Sequence, residues 1–283
     1  MLFRAAIDAL SSVLFPAPCR ICETTLTAAS RIPICGNCLE GFQKIEEPKC
    51  QCCGRPFISP VAGQAIQPLC RLCRSGFFSF ERARSYGVYD DALAKAVVLL
   101  KYEGVKPLGE WFAAQLAETL LREGTEWKPD LVIPVPLHAD RLRERGYNQA
   151  DLIAKPLAKS LGVPFGSYLL VRTRPRPPQL VLSRTERWSS VRGAYAIRAG
   201  TRVDKLRILL IDDVLTTGAT LDACSRALKK AGAEAVFGLT VARVAAGLPS
   251  SSPKVDLHGS NGETVGAPAA SVLAGEVFDP RRD

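Results

Sequence analysis

The sequence predicts an α/β fold, a parallel sheet covered by helices, preceded by a small cysteine-rich domain. Three observations support this prediction. Apolar, β-branched runs alternate with helical patterns from residue 84 onward, which is typical of parallel sheets. Eight of the ten cysteines form four CxxC pairs between Cys19 and Cys73. One apolar run, beginning at Ile208, ends in two aspartates and a turn rich in threonine.

Changes of composition divide the 283 residues into four parts. We predict an amphipathic helix at residues 1–16, a double zinc-ribbon domain at 17–76, the α/β domain at 82–246 and a disordered tail at 247–283. Asp8 interrupts the first apolar run, and Cys19 stands where a signal-peptide cleavage site would lie. Because no uninterrupted apolar run reaches about 18 residues, no membrane span is expected. We therefore expect a reduced, cytoplasmic protein.

The elements of the α/β part follow from periodicity and from β-branched runs. In chain order, the patterns predict helices at 92–102 and 108–122, a strand at 130–135, a helix at 147–161 that Pro156 kinks or restarts, strands at 169–171, 194–197 and 207–211, a helix at 220–231, and a strand at 235–241. Residues 172–191 mix Pro, Arg, Ser and Thr without apolar periodicity. They predict a long mobile loop, and loops of that length are usually functional.

The cysteine pairs have the spacing of a metal site. Each CxxC turn places two thiolates on one side, and two such turns complete a tetrahedral sulfur shell for zinc. Four pairs therefore predict two zinc ions, and sequential and crossed pairing both remain open. A redox role for single pairs is the alternative, but a short, hydrophobe-poor segment would scarcely fold without metal. The predicted ligands are Cys19, Cys22, Cys35, Cys38, Cys50, Cys53, Cys70 and Cys73, and Cys52 is a spare ligand or a free thiol.

The run from Ile208 to Thr220, ILLIDDVLTTGAT, predicts a binding site for a sugar phosphate. Asp212 and Asp213 follow a buried strand, and open parallel sheets bind ligands at that end of their strands. Small residues, a glycine and the start of a helix let backbone N–H groups surround a phosphate. The paired carboxylates suit the vicinal hydroxyls of a sugar. The structural alternative is an Asp-rich turn followed by a helix cap.

This run resembles the signature of type I phosphoribosyltransferases, which bind phosphoribosyl pyrophosphate (PRPP). The resemblance implies a type I phosphoribosyltransferase fold, in which Asp212 and Asp213 would hold the ribose hydroxyls. The 5-phosphate would be bound by the turn that comprises Thr216, Thr217, Gly218, Ala219 and Thr220. Mg²⁺ would neutralise the diphosphate of PRPP.

A second anion site is predicted after the strand at 130–135. Leu137 and His138 precede Arg141, Arg143 and Arg145, and three arginines at every second position of a turn can bind a diphosphate or an anionic polymer. A solvated basic turn is the alternative. The net charge of +9 also indicates an anionic partner, since residues 141–207 contain fifteen Lys and Arg against four Asp and Glu.

Four further segments carry a more specific resemblance. LLKYEGVKPLG, PVPLH, RERGYNQA and GAY together resemble the ComF family, which includes ComFC and GntX-like proteins. The resemblance implies a zinc-binding head joined to a phosphoribosyltransferase domain, and some members are linked to uptake of transforming DNA. It assigns Leu137, His138 and Arg141 to the pyrophosphate loop, and Gln179, Arg184 and Arg187 to a flexible loop. Ser190 departs from the Asn that the family pattern leads us to expect.

Three functions are compatible with these features. The protein is a phosphoribosyltransferase of unknown acceptor, a single-stranded-DNA-binding adaptor that works with the competence machinery, or a PRPP sensor without turnover. The sequence forms no readable acceptor pocket, so the acceptor stays open.

Overall fold

The computed structural model describes residues 17–26, 30–57, 68–174 and 184–245. The predicted helix at 1–16 and the predicted tail at 247–283 lie outside the described residues. Within the described ranges, no helix has both the length and the apolar composition that crossing a bilayer requires.

The helices and strands of the α/β part alternate along the chain, which confirms the predicted α/β class. Two short helices, α1 (Gly36–Glu40) and α2 (Arg71–Arg74), precede them in the cysteine-rich segment. The elements that follow are β1 (Arg82–Val88), α3 (Asp91–Tyr102), α4 (Leu108–Glu123), a 3-10 turn (Thr125–Trp127), β2 (Leu131–Pro134), α5 (Ala139–Arg145), α6 (Gln149–Leu161), β3 (Leu170–Arg172), α7 (Arg184–Val191), β4 (Tyr195–Ile197), β5 (Arg207–Leu215), α8 (Ala219–Lys230) and β6 (Ala235–Arg243).

The main sheet has the strand order β1-β6-β5-β2, and all its described pairings are parallel. Every residue of β6 is buried, as expected of a strand covered by helices on both faces. Strands β3 and β4 form a separate antiparallel ribbon. Because β5 and β2 are neighbours, the loops that follow these two strands meet at the carboxyl edge of the sheet.

Two apolar clusters lie on the two faces of the sheet. Helices α3, α4 and α6 cover one face, where Phe112 and Ile153 are fully buried. Helix α8 covers the other face together with the β3–β4 ribbon. The cysteine-rich segment contributes to both clusters, Cys19 to the first and Cys50 to the second. The cysteine-rich segment therefore shares its apolar contacts with both faces of the sheet.

The segment at 172–191 differs from its prediction. Its carboxyl-terminal part, Arg184–Val191, is helix α7 rather than loop. The sequence of α7 lacks an apolar stripe, but Trp188 packs edge-on against Phe77, with ring centroids 4.6 Å apart, and Val191 is buried. Contacts with a distant part of the chain therefore stabilise a helix that periodicity does not show.

Helix α6, which the sequence predicted to be kinked or restarted at Pro156, continues through that residue.

Candidate active site and metal centres

The two aspartates lie within strand β5, which continues past the predicted end at residue 211 to Leu215. Asp213 is buried, and its carboxylate is paired with the ammonium group of Lys101 at the end of α3. The Asp212 carboxylate accepts a hydrogen bond from the Asp213 N–H at 2.9 Å. Burial raises the pKa of Asp212 to about 7, and the charges of Lys101 and Arg172 oppose this rise only in part. The two neighbouring carboxylates thus differ in their electrostatic environment.

The predicted phosphate turn, Thr216 to Thr220, has a conformation that is compatible with an anion-binding loop. Gly218 adopts φ +87° and caps helix α8, which begins at Ala219. The left-handed backbone at Gly218 favours glycine. The Thr217 hydroxyl accepts a hydrogen bond from the Ala219 N–H at 3.3 Å. Since the first N–H groups of a helix have no partner within it, the start of α8 adds positive potential beside the turn.

The loop after β2 lies beside this turn. The Val135 N–H donates to the Ile211 carbonyl at 2.8 Å, and the Asn148 side chain donates to the Val135 carbonyl at 3.1 Å. His138 caps the short helix α5, and its Nδ1 accepts from the Asp140 N–H at 3.4 Å. These bonds hold the loop against the end of β5.

The predicted turn of alternating arginines is wrong, because Arg141, Arg143 and Arg145 belong to helix α5. With 3.6 residues per turn, residues four apart share a face and the residue between them does not. Arg141 and Arg145 line the cleft described below, whereas Arg143 is paired with the exposed Asp140. Two of the three arginines therefore reach the cleft, where Arg145 donates to the Gln149 side chain.

A cleft of about 270 Å³ gathers these elements. Of the residues that the sequence predicted, it is lined by Leu137, His138, Arg141, Asp212, Asp213, Thr216, Thr217, Ala219 and Thr220. Gly218 shapes the turn without lining the cleft. Gln179 lies outside the described residues, and Arg184 and Arg187 belong to α7. The structure thus brings the phosphate turn and the candidate pyrophosphate loop to one cleft.

The cleft also contains residues that sequence reasoning missed. Lys101, Gln149, Arg172 and Tyr195 line it, and they come from α3, α6, β3 and β4. Lys101, Gln149 and Tyr195 lie in segments that carried only a family resemblance, and Arg172 stood at the edge of the predicted loop. Those segments assigned no role to any of the four residues. Only the tertiary structure brings the four side chains to one cleft.

The cysteines form two groups in sequential order, which resolves the pairing that the sequence left open. The first cysteine group contains Cys19, Cys22, Cys35 and Cys38, and the second contains Cys50, Cys53, Cys70 and Cys73. Within each group, all four sulfur atoms lie within 4.8 Å of one another. Cys52 belongs to neither group.

The geometry of both groups fits zinc. A tetrahedral site with Zn–S bonds of about 2.3 Å requires sulfur atoms about 3.8 Å apart. The Sγ atoms of Cys22 and Cys35 are 3.7 Å apart, and those of Cys53 and Cys70 are 3.8 Å apart. Backbone N–H groups of Cys35 and Cys70 each donate to a sulfur of their group at 3.3 Å, which suits thiolates. The residues present are therefore a suitable shell for two zinc ions.

The second cysteine group is connected to the sheet through Arg243. This arginine ends β6, is 1% exposed and donates from its guanidinium to Cys53 Sγ at 3.4 Å. Four thiolates around Zn²⁺ leave an excess of negative charge, so a buried guanidinium beside them is electrostatically favourable.

The fold, the cleft and the cysteine groups define a phosphoribosyltransferase-domain protein with a double zinc ribbon. Residues 146–268 match the family described as phosphoribosyl transferase domain, and residues 10–74 match the double zinc ribbon domain. The fold class and the zinc ribbons that the sequence predicted are thereby confirmed.

Curated relatives identify the family. The chain is 31% identical over 228 residues to the DNA utilization protein YhgH of Salmonella typhi, covering 78% of this chain and 94% of the relative. It is 28% identical over 217 residues to competence protein ComFC of Bacillus subtilis, covering 74% and 84%. Competence protein F of Haemophilus influenzae is also 28% identical, with coverage of 72% and 87%. This chain belongs to the ComF family, as the sequence motifs predicted.

Solved phosphoribosyltransferases are similar to this chain over about half its length. Glutamine PRPP amidotransferase of B. subtilis is 21% identical with a TM-score of 0.33, covering 48% of this chain and 26% of that protein. Purine phosphoribosyltransferase of Pyrococcus horikoshii is 19% identical with a TM-score of 0.31, covering 47% of this chain and 84% of that protein.

Proposed function

We propose that this protein binds PRPP together with Mg²⁺ and transfers its phosphoribosyl group to an acceptor. One observation carries the proposal, namely the convergence on a single cleft of two carboxylates, the phosphate turn and the loop from Leu137 to Arg141. These three elements match the three parts of PRPP, which are ribose hydroxyls, a 5-phosphate and a diphosphate.

The residues of the cleft would act by position and charge. Asp212 and Asp213 accept hydrogen bonds from the ribose hydroxyls, the turn from Thr216 to Thr220 donates to the 5-phosphate, and Arg141 lies near the diphosphate. The bond from ribose C1 to the diphosphate oxygen breaks, and its electron pair leaves with pyrophosphate. A lone pair of the acceptor forms the new bond to C1, and the acceptor proton passes to solvent.

The cleft offers Mg²⁺ few protein ligands, and this ion needs few. Lys101 pairs with Oδ2 of Asp213, and the Asp213 N–H donates to Oδ1 of Asp212, so each carboxylate keeps its second oxygen to offer. Mg²⁺ is commonly held by one or two carboxylates plus substrate phosphates and water. When bound, the ion would neutralise charge on the diphosphate.

The test is calorimetric titration of the zinc-loaded chain with PRPP and Mg²⁺. We expect saturable binding that is lost in Asp212→Asn and kept in Asp204→Asn, a matched change at an exposed aspartate. Absence of PRPP binding by the folded wild-type chain would overturn the proposal. Pyrophosphate release in the presence of bases, nucleosides and amines then separates an enzyme from a PRPP sensor, which would bind without turnover.

A role in DNA handling is the second candidate. The side chain of Arg143 is 79% exposed outside the cleft, Arg174 is also exposed, and relatives are named for DNA utilization and competence. If the chain binds single-stranded DNA, affinity should fall steeply with salt and should fall further in Arg143→Gln/Arg174→Gln. Asp212→Asn should leave that affinity intact. Equal affinity in the double variant and the wild type would contradict this role.

We also propose a cytoplasmic location, because thiolate zinc sites persist where thiols stay reduced. The ten cysteines form no disulfide in the structure.

A further inference from the structure

Two polar groups of the β3–β4 ribbon are buried at the cleft without a hydrogen-bond partner. The Tyr195 hydroxyl and one terminal nitrogen of the Arg172 guanidinium, Nη2, make no hydrogen bond within the described part of the chain. Tyr195 is only 7% exposed, and both side chains line the cleft. Burying such donors without a partner is unfavourable, and a bound acceptor group would supply the missing hydrogen bonds.

The Arg172 guanidinium is held in place by its other contacts. Its Nε donates to the Arg174 carbonyl at 3.0 Å, and its centre lies 5.5 Å from the centroid of the Tyr195 ring. These contacts leave Nη2 free of partners among the described residues. A long side chain that is already ordered loses little further conformational entropy when a ligand binds.

The location of this pair within the cleft identifies the end of the ligand that it faces. Strand β4 packs against α8, the helix that begins at the phosphate turn. Burial raises the pKa of the Tyr195 hydroxyl, and the polar side chain of Thr220, which lies beside that hydroxyl but outside hydrogen-bonding geometry, opposes the rise. Burial likewise raises the pKa of the Cys224 thiol, one turn further along α8, and the charge of Arg172 opposes it. Arg172 and Tyr195 therefore lie beside the first turn of α8.

A bound anion would stabilise a guanidinium at this place, whose charge Asp212 compensates only in part. The amino-terminal end of a helix carries partial positive charge, which repels a cation and attracts an anion. Burial raises the pKa of Asp212, and the charge of Arg172 opposes the rise only in part. A dianionic phosphate at the turn would interact favourably with the helix end, with the guanidinium and with the tyrosine hydroxyl at once. Arg141, which the family resemblance assigns to the pyrophosphate loop instead, lies on α5, the helix that follows the β2 loop.

We infer that Arg172 and Tyr195 bind the 5-phosphate end of the ligand and complete the phosphate turn with a full positive charge and a hydroxyl donor. The inference rests on the proposed function, because it assumes a sugar phosphate in the cleft. It adds a specificity-determining pair from the ribbon to the turn predicted from the sequence. It makes a phosphomonoester at this end of the ligand a requirement for tight binding.

The test compares two fragments of the ligand on the full, zinc-loaded chain. Ribose 5-phosphate and pyrophosphate are titrated separately into wild type, Arg172→Gln, Tyr195→Phe and the control Arg198→Gln, which removes the same charge at an exposed position directly after β4. For ribose 5-phosphate we expect Arg172→Gln to weaken binding about tenfold or more, since a charge-assisted hydrogen bond is lost. Tyr195→Phe should weaken it about threefold to tenfold. Pyrophosphate affinity in these variants, and both affinities in the Arg198→Gln control, should change less than about twofold.

Other outcomes distinguish failure of the proposed function from failure of this inference. Wild type that binds neither PRPP nor ribose 5-phosphate overturns the proposed function itself. Wild type that binds PRPP while both ribbon variants keep full affinity for ribose 5-phosphate overturns only this inference. A loss confined to pyrophosphate also overturns it, because the pair would then contact the diphosphate end. Arg172→Lys guards against misfolding, since it keeps the charge and should retain part of the affinity.

Discussion

Lys101 and Asp213 form an ion pair that joins the end of α3 to strand β5 at the cleft. Asp213 is 5% exposed, so its carboxylate depends on this partner for compensation of its charge. The pairing also leaves Asp212 as the neighbouring carboxylate whose charge changes close to neutral pH. The Lys101–Asp213 ion pair therefore contributes to both the stability and the electrostatics of the cleft.

Replacing Lys101 should destabilise the fold. We expect Lys101→Met to lower the free energy of unfolding by about 3 kcal/mol, because a buried carboxylate loses its cation. Urea denaturation measures this change. In Lys101→Met/Asp213→Asn the buried charge is gone, so the double variant should lose less than the sum of the two single changes. Strict additivity would show that the two side chains are not coupled.

Asp212 should make stability depend on pH. Its pKa is raised from 3.8 to about 7, so the folded protein retains a proton that the unfolded chain releases between these values. The free energy of unfolding therefore falls as pH rises through that window. Asp212→Asn should raise stability by about 1–2 kcal/mol at pH 8 and by less at pH 5. Thermal melts at both pH values measure the difference.

The control for this prediction is Asp204→Asn, a change at an exposed aspartate. It should shift the melting temperature similarly at both pH values. If Asp212→Asn also gives a shift that is independent of pH, the buried charge of Asp212 is not the cause of the stability change.

Zinc content should follow the two cysteine groups. We expect two zinc ions per chain in the wild type, measured by elemental mass spectrometry against protein concentration. Cys22→Ser should reduce the content to one, because it removes a ligand of the first group. Cys52→Ser is the matched control and should keep both ions, since Cys52 belongs to neither group. A loss of zinc in Cys52→Ser would show that this thiol is a ligand.

The phosphate turn should tolerate no side chain at Gly218. A Cβ there would lie 2.8 Å from Cε1 of Phe78, and the backbone has φ +87°. We expect Gly218→Ala to cost about 2–4 kcal/mol, from the left-handed backbone and from the clash together. Gly193→Ala isolates the backbone effect, because Gly193 has φ +65° and no atom lies within 4 Å of its Cβ position. It should cost about 1–2 kcal/mol in the same denaturation experiment.

The same variant also reports on the contact between Phe78 and the turn at Gly218. Phe78 follows the cysteine-rich segment and stacks on Phe80, with ring centroids 4.6 Å apart. Gly218→Ala/Phe78→Ala should recover the part of the loss that comes from the clash, but not the part that comes from the backbone. Equal losses in Gly218→Ala and Gly193→Ala would mean that Phe78 moves aside at little cost.

Features that lie within one short segment could be predicted. The CxxC turns and the run from Ile208 to Thr220 each contain their own chemistry, since the spacing of their residues produces the site locally. The α/β class followed from the alternation of periodic segments for the same reason. Helix α7 was missed because Trp188 is packed by aromatic residues far away in the chain.

The sequence by itself determined the α/β class and the thiolate ligands for zinc, and it predicted a phosphate turn behind two carboxylates. The tertiary structure decided which groups meet. It paired the cysteines in order, it placed Arg141 and Arg145 on the cleft face of a helix, and it brought Lys101 and the Arg172–Tyr195 pair to β5. The physical reason is that these contacts depend on how helices and strands pack, whereas local spacing reports only on neighbours along the chain.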